Sequence, residues 1–493
     1  MIALSLAEIS AAVGGVLIAP DPQVRVTGTV EFDSRKVSPG GLFVAFVGEK
    51  VDGHDYAIAA VNAGAVAMLG QRMIEGVPSI VVDDPRTAMA RLARYVIDRL
   101  PATTVIGLTG SSGKTTTKDF IAQLVSRLGA TVAPAGSFNN ELGHPYTVLQ
   151  ATEATRFLVL ELGARGAGHV RYLCQVAPPR IGAVLNVGTS HIGEFGSVEA
   201  IAEAKGELVE SLPADGVAVL NADDPRVREM ASRTAAPVVY VGEAPDATVR
   251  AEDVVVDAAG RVAYTLVAPA GSARVELAVP GRHQVGNTLA AAAVALGAGV
   301  PFDDVVTGLV ELRLVSKRRM DVFERPDGIT VIDDSYNANP ASMSAALHAL
   351  ADIGRGRRRI AVLGYMAELG DYETAGHREV GELAAKLEVD WLIVVGDGAA
   401  PIRDGAEAVS GWAGTAITVA DQDAAIEALR DQLRGGDVVL VKASRYRTWA
   451  VVDALREQDS VEAPGPTVGA PSPTVTSPSG SPGPVAAGPD GRA

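Results

Sequence analysis

The chain has 493 residues and a net charge of −16, with 43 basic against 59 acidic side chains. It therefore lacks the basic excess that coating a nucleic acid or an anionic membrane requires. Hydrophobic residues make up 47% and charged residues 21%, a globular profile, and at about 150 residues per domain the length points to two to four domains, with three the middle estimate. One cysteine, Cys174, rules out an intramolecular disulfide and a cysteine-built metal site, and its apolar neighbours mark a buried thiol. The N-terminus carries Glu8 and no basic n-region, and no apolar run reaches about 18 residues. A cytoplasmic protein without membrane insertion is expected.

Residues 1–100 mix short strands at 42–47, 65–69 and 79–82 with helices at 54–63 and 85–99, a small α/β domain. After Pro101, the strand 105–109 runs into a Gly-rich turn and a helix. The βα alternation continues through apolar strands at 157–162, 181–187, 217–221 and 238–241. Residues 249–280 read as two or three antiparallel strands, and the helix 284–298 and basic stretch 313–319 close this block. From about 320, strands at 330–333, 359–363, 391–395 and 437–441 alternate with helices at 340–352, 374–388 and 422–434. Short apolar runs alternating with helices predict parallel sheets covered on both faces. The expected division is an N-terminal α/β domain (1–100), a central P-loop parallel-sheet ATPase domain (101–314), a C-terminal Rossmann-like domain (315–462) and a Pro/Gly/Ser-rich disordered tail (463–493).

The strongest chemical signal is Thr109-Gly110-Ser111-Ser112-Gly113-Lys114-Thr115-Thr116, placed between a strand and a helix. Glycines let backbone N–H groups turn inward around an anion, and the following helix N-terminus adds its dipole. Lys114 suits terminal phosphates and the Thr115 hydroxyl suits Mg²⁺. Leu108 occupies the place of the first glycine of the strict P-loop pattern, which argues against an ordinary GTPase or kinase loop but not against phosphate binding. Glu161 closes an apolar strand, where a carboxylate is costly unless paired or metal-bound. His191 follows the strand 181–187, and Lys205 lies in a helical segment, Ala204-Lys205-Gly206-Glu207. With Thr115, Glu161 and His191 could surround Mg²⁺ at the nucleotide phosphates. Only eight of the basic residues are lysines, so a lysine inside a motif stands out.

These motifs together resemble the Mur ligases, the ATP-dependent enzymes that build the peptidoglycan stem peptide. The residues 109–116 are similar to the family's TGxxGKT loop, and 136–145, with Asn139, Asn140 and Glu141, to the GNxNNxxGxP segment that follows it. Residues 283–291, with Asn287, resemble the helix near the adenine. Arg319, Asp333 and Asn337 fall in stretches that resemble the C-terminal motifs closing over ATP, and Ser34 and Arg35 resemble nucleotide-sugar-binding elements. The third-block sequences 333–340 and 363–370 imply the family member that adds D-alanyl-D-alanine to UDP-N-acetylmuramoyl-tripeptide, acting as a monomer in cell-wall synthesis and thereby in cell shape and division. The nearest alternatives are the amino-acid-adding branch and a folylpolyglutamate synthase-like ligase. The resemblance further implies that Lys205 is carbamylated and holds a second Mg²⁺ with His191 and Glu161. It places the ATP-binding residues at 109–116, Asn287, Arg319, Asp333 and Asn337, and gives Lys114, His191 and Lys205 catalytic roles. Departures sit at Lys442-Ala443-Ser444-Arg445, where the family carries KGSR, and at Trp449-Ala450.

Overall fold

The computed structural model describes residues 1–444 and 447–457. The tail 463–493 and Arg445 lie outside the described residues. The first helix, Leu6–Val13, starts on a capping box in which Ser5 and Glu8 satisfy each other's backbone N–H groups, and stops at Gly14 in the left-handed region. A five-stranded sheet follows. Val30–Glu31, Gly41–Val44, Ala65–Gly70 and Ser79–Val81 are parallel, and Val16–Ile18 is added antiparallel at the edge. The helix expected at 54–63 is a 3₁₀ turn, Gly53–Tyr56, ahead of a short helix, Ala57–Asn62, because the Asp52 carboxylate holds the His54 N–H. The apolar core of this block runs on without a break into Val148, Leu149, Leu158, Leu160 and Val176, so the chain changes sheets near residue 100 without a break in packing.

The central sheet has nine strands. Its middle carries β1 (Thr104–Thr109), flanked in parallel by β2 (Phe157–Glu161) and β3 (Ile181–Val184). Outside β3 lie β4 (Val217–Asn221) and β5 (Val238–Gly242), then a strand at Val249–Val256 that begins parallel and starts an antiparallel meander through Arg261–Ala268 and Gly271–Pro280. The meander confirms the antiparallel reading of 249–280. The helix α1 (Lys114–Val125) follows β1. Two further helices matter for the site, α2 (Val198–Glu210) and α3 (Gln284–Gly297). Because β1 is flanked by strands that come later in the chain on both sides, the crevice opens at the carboxyl end of β1, where open α/β sheets bind ligands.

The C-terminal sheet has six strands in the order Asp321–Glu324, β6 (Thr330–Asp333), β7 (Val438–Lys442), Arg359–Gly364, Trp391–Val395 and Thr415–Val419, with the first antiparallel and the rest parallel. The fully buried runs Ile360–Leu363 and Leu392–Val394 explain why these strands read as continuous apolar stretches. Leu314, at the expected domain boundary, packs against the cores of both neighbouring blocks.

Candidate active site

The carboxyl end of β1 opens into a cavity of about 840 Å³, lined from the central and C-terminal blocks. The loop after β1 is held from β3's side. The backbone N–H groups of Ser111 and Ser112 each donate to Asn186 Oδ1 at 2.9 Å. Gly113 has φ +78°, and a Cβ there would lie 2.5 Å from Asn287 Oδ1, so glycine is required both by conformation and by space. Asn287 Oδ1 also accepts from Thr117 at 3.2 Å, which ties α3 to the first turn of α1. Lys114 donates to its own loop carbonyl, Gly110 O, at 2.7 Å. Burial holds the Lys114 ammonium below its ordinary pKa. Glu161 opposes that shift and Arg319 adds to it.

Glu161 ends β2 beside Leu108 and is 1% exposed. Its Oε2 accepts from the Thr115 hydroxyl at 2.9 Å, and its Oε1 from Ser137 at 2.8 Å and Asn139 Nδ2 at 2.6 Å. All three donors are neutral and no ion pair reaches Glu161 among the described residues, although Lys114 is near enough to feel its charge. That donor set, with the Thr115 hydroxyl, fits a divalent cation. Lys205 projects from α2, 4% exposed, with no hydrogen bond or ion pair among the described residues. Burial pushes its pKa well below the lysine range, and the Lys114 charge adds to the shift. Glu207, two residues on, caps the helix at 169–176 through the N–H groups of Gly168 (2.6 Å) and Arg171 (3.0 Å).

The C-terminal block reaches over this loop. Arg319 donates to Thr115 Oγ1 at 3.3 Å and stacks on Tyr336, and Asn339 Nδ2 donates to Ser111 O at 3.3 Å. His191 Nδ1 lies 2.5 Å from Glu368, and Gly193 N–H donates to Glu368 O at 3.1 Å. Among the described residues, His191, Glu194 and Glu368 have ligand atoms within 4.8 Å of one another. His191 is thus gathered with two carboxylates other than Glu161, although all of Glu161, His191 and Lys205 face the same cavity.

Asp334 lines the cavity, whereas Asp333 turns inward to Ser335, and burial raises the Asp333 pKa. Asp334 pairs with buried Lys442. Ser34 and Arg35, expected at the nucleotide-sugar, lie in the N-terminal block outside this cavity, with the Arg35 side chain 87% exposed and paired with Asp33. Ser111 to Thr116, Asn139, Asn140, Glu141, Asn287, Arg319 and Asn337 do line it, whereas Thr109 and Gly110 support it from below. Sequence reasoning missed Asn186, Ser137, Asn339 and Glu368. Each sat inside a quoted motif, but only the fold shows which atom it faces.

A phosphate loop on a parallel sheet thus lies beside a buried carboxylate and a buried lysine, with the C-terminal sheet domain over it, an arrangement suited to binding a nucleotide. Residues 108–295 match the Mur ligase middle domain, 318–445 the Mur ligase glutamate ligase domain, and 28–96 the Mur ligase family catalytic domain. The chain belongs to the Mur ligase family. It is 48% identical to the UDP-N-acetylmuramoyl-tripeptide–D-alanyl-D-alanine ligase of Mycobacterium bovis, covering 93% of this chain and 99% of that one. It is 36% identical to the same ligase of Escherichia coli, at 93% and 99% coverage. Among solved structures it is similar to MurF of Acinetobacter baumannii, with a TM-score of 0.83, 30% identity and coverage of 92% and 99%. MurF of Thermotoga maritima in complex with ADP gives a TM-score of 0.76 at 30% identity, covering 88% and 98%. The three-domain fold expected from the sequence is the fold of these relatives.

Proposed function

We infer that the chain joins D-alanyl-D-alanine to UDP-N-acetylmuramoyl-tripeptide at the expense of ATP, in peptidoglycan precursor synthesis. One observation carries the assignment of roles: Lys114 and Thr115 of the phosphate loop share a cavity with Glu161 and Lys205, under Arg319 and Asn339 of the C-terminal domain. In this reading residues 1–100 hold the UDP-sugar-peptide, 101–314 bind ATP and 315–462 bring the dipeptide. One chain completes the site, so a monomer acting in the cytoplasm is sufficient.

The tripeptide's terminal carboxylate attacks the γ-phosphorus of ATP, the bond to ADP breaks and an acyl phosphate forms. The dipeptide amine then attacks the acyl carbon, loses a proton, and phosphate leaves with its C–O bond broken. Lys114 and Arg319 lie where charge on the transferring phosphoryl group is neutralised. Thr115 and Glu161 would hold Mg²⁺, which supplies Lewis-acid polarisation of the phosphate when bound. Burial and the nearby Lys114 charge disfavour the ammonium form of Lys205, which suits the amine to adding CO₂ with loss of a proton. Carbamylation there would turn the amine into an anionic oxygen ligand for a second ion shared with His191. Asn139, Asn140 and Glu141, which line the cavity, would contact the UDP-peptide.

The test is ATP-dependent phosphate release with UDP-N-acetylmuramoyl-tripeptide and, in turn, D-alanyl-D-alanine, a single amino acid, glutamate or no acceptor. Turnover only with the dipeptide is expected. Turnover with an amino acid in its place overturns the reading in favour of the amino-acid-adding branch.

A further inference from the structure

Lys118 is a lysine that the site chemistry does not use, and it is fully buried on α1. Its ammonium donates to Pro134 O at 2.5 Å and Gly136 O at 3.1 Å, and lies 2.7 Å from Asp119 Oδ1. Those two carbonyls start the segment whose Ser137 and Asn139 grip Glu161. Asp119 faces the other way as well. Its Oδ2 accepts from both the N–H of Ser316, at 3.2 Å, and the Ser316 hydroxyl, at 2.6 Å. One turn along α1, Gln123 exchanges hydrogen bonds with the backbone of Arg313, donating to its carbonyl at 3.0 Å and accepting from its N–H at 3.1 Å. Positions 119 and 123 share one helix face, so the linker into the C-terminal domain is clamped at 313 and 316. Just beyond the clamp, Arg318 and Met320 take left-handed backbone angles of φ +61° and +51° without being glycine. Arg319, between them, is the residue that reaches Thr115.

We propose that Lys118 and Asp119 are positioning residues that couple the UDP-peptide-side segment 134–139 to the interdomain linker through α1. An apolar residue at 118 would fill the same space without the desolvation of a buried ammonium and carboxylate. What only the charged pair provides is a continuous hydrogen-bonded path from the substrate segment to the linker. The fixed point of the linker is then 313–316, and the turn that carries Arg319 toward or away from the phosphate loop lies at 317–320.

The substrate-binding role of segment 134–139 rests on the function proposed above. The experiment separates the two. In the full chain, Ser316→Ala removes one arm of the path at a half-exposed hydroxyl and leaves the pocket residues in place. Backbone hydrogen exchange, measured without substrates, is expected to quicken at 134–139 as well as at 313–320, by about fivefold or more. The KM for the UDP-peptide substrate should rise by a similar factor while the KM for ATP stays near its wild-type value. Lys118→Met should reproduce both effects, and the double variant should add little to either. If Lys118→Met fails to fold, Ser316→Ala alone decides. Exchange that changes only at 313–320, with the UDP-peptide KM unmoved, overturns the coupling. Failure of the wild type to ligate the dipeptide would instead refute the functional reading and leave the exchange test intact.

Discussion

Replacing Lys205 with methionine should make the protein more stable and inactive. The side chain is 4% exposed, and its nitrogen, which opens on the cavity, meets no partner among the described residues. A site that depresses a lysine pKa costs the fold about 1.4 kcal/mol per pH unit of depression below the unfolded pKa, and methionine has a similar length with nothing to titrate. In metal-free buffer stripped of CO₂, Lys205→Met should therefore raise unfolding stability near neutral pH by about 1 kcal/mol or more. The pH dependence has a definite sign. Burial holds the folded-state pKa well below the unfolded one, so between the two values the unfolded chain binds the extra proton. Wild-type stability then rises with pH, and the advantage of the variant shrinks as pH climbs toward the usual lysine value of about 10.4. Urea titrations near neutral pH and near pH 9.5, followed by tryptophan fluorescence, measure the gap at both ends. Phosphate release with both substrates should fall to background in the variant at every pH. A variant less stable than wild type near neutral pH, or a gap that does not narrow with pH, would refute the account of Lys205 as an unpartnered amine.

Three further outcomes are expected. Gly113→Ala forces a Cβ to 2.5 Å from Asn287 Oδ1 at φ +78°, a conformation that costs a non-glycine residue about 1–2 kcal/mol before any clash. Titration with a fluorescent ADP analogue should show binding weakened by tenfold or more, about 1.4 kcal/mol. Ser137→Ala removes a donor from Glu161 while sparing the other two. It should raise the Mg²⁺ needed for half-maximal turnover by about tenfold, the usual size of an outer-shell loss; unchanged Mg²⁺ dependence would remove Glu161 from the metal site. Cys174 is 3% exposed and burial pushes its thiol up to about 12. An aromatic disulfide reagent should therefore leave it untouched until urea unfolds the protein, and prompt labelling of the native chain would contradict its burial.

The sequence showed the sheets better than the site. Strands such as Leu392–Val394 are buried on both faces, and full burial writes itself into the chain as an uninterrupted apolar run. The meander at 249–280 alternates because one face is solvated. The phosphate loop was legible for a similar reason: Gly113 is required by local backbone geometry, and local requirements leave local marks. Asp333 against Asp334 was not legible. The two are adjacent in an extended strand end, where successive side chains point opposite ways, and only the position of Lys442 on the neighbouring strand β7 decides which carboxylate enters the cavity. Asn186 was quoted in a motif but given no role. Its partners are backbone N–H groups 74 and 75 residues away, and no spacing rule predicts that reach. The Ala57–Asn62 helix came out shorter than its pattern because Asp52 captures the His54 N–H first.

The charge that opened the sequence reading also takes a different meaning at the site. The chain is acidic by 16 charges, yet two of its three proposed substrates, ATP and the UDP-peptide, are polyanions. Within the cavity, Arg282 is neutralised by Glu243 and Lys442 by Asp334. Lys114, Arg319 and the exposed Arg165 line the cavity with no carboxylate ion pair among the described residues, and burial disfavours the Lys205 charge. Of the three unpaired cations, two, Lys114 and Arg319, point at the phosphate loop. At physiological salt the field of the distant acidic surface decays over about 8 Å, so an approaching nucleotide feels little of the net charge until it enters the mouth. There, burial strengthens the pull of those two cations. The direction of the Lys114 shift fits this arrangement: burial and Arg319 disfavour its charge more than Glu161 favours it, and a phosphate bound in the loop would favour the charge further.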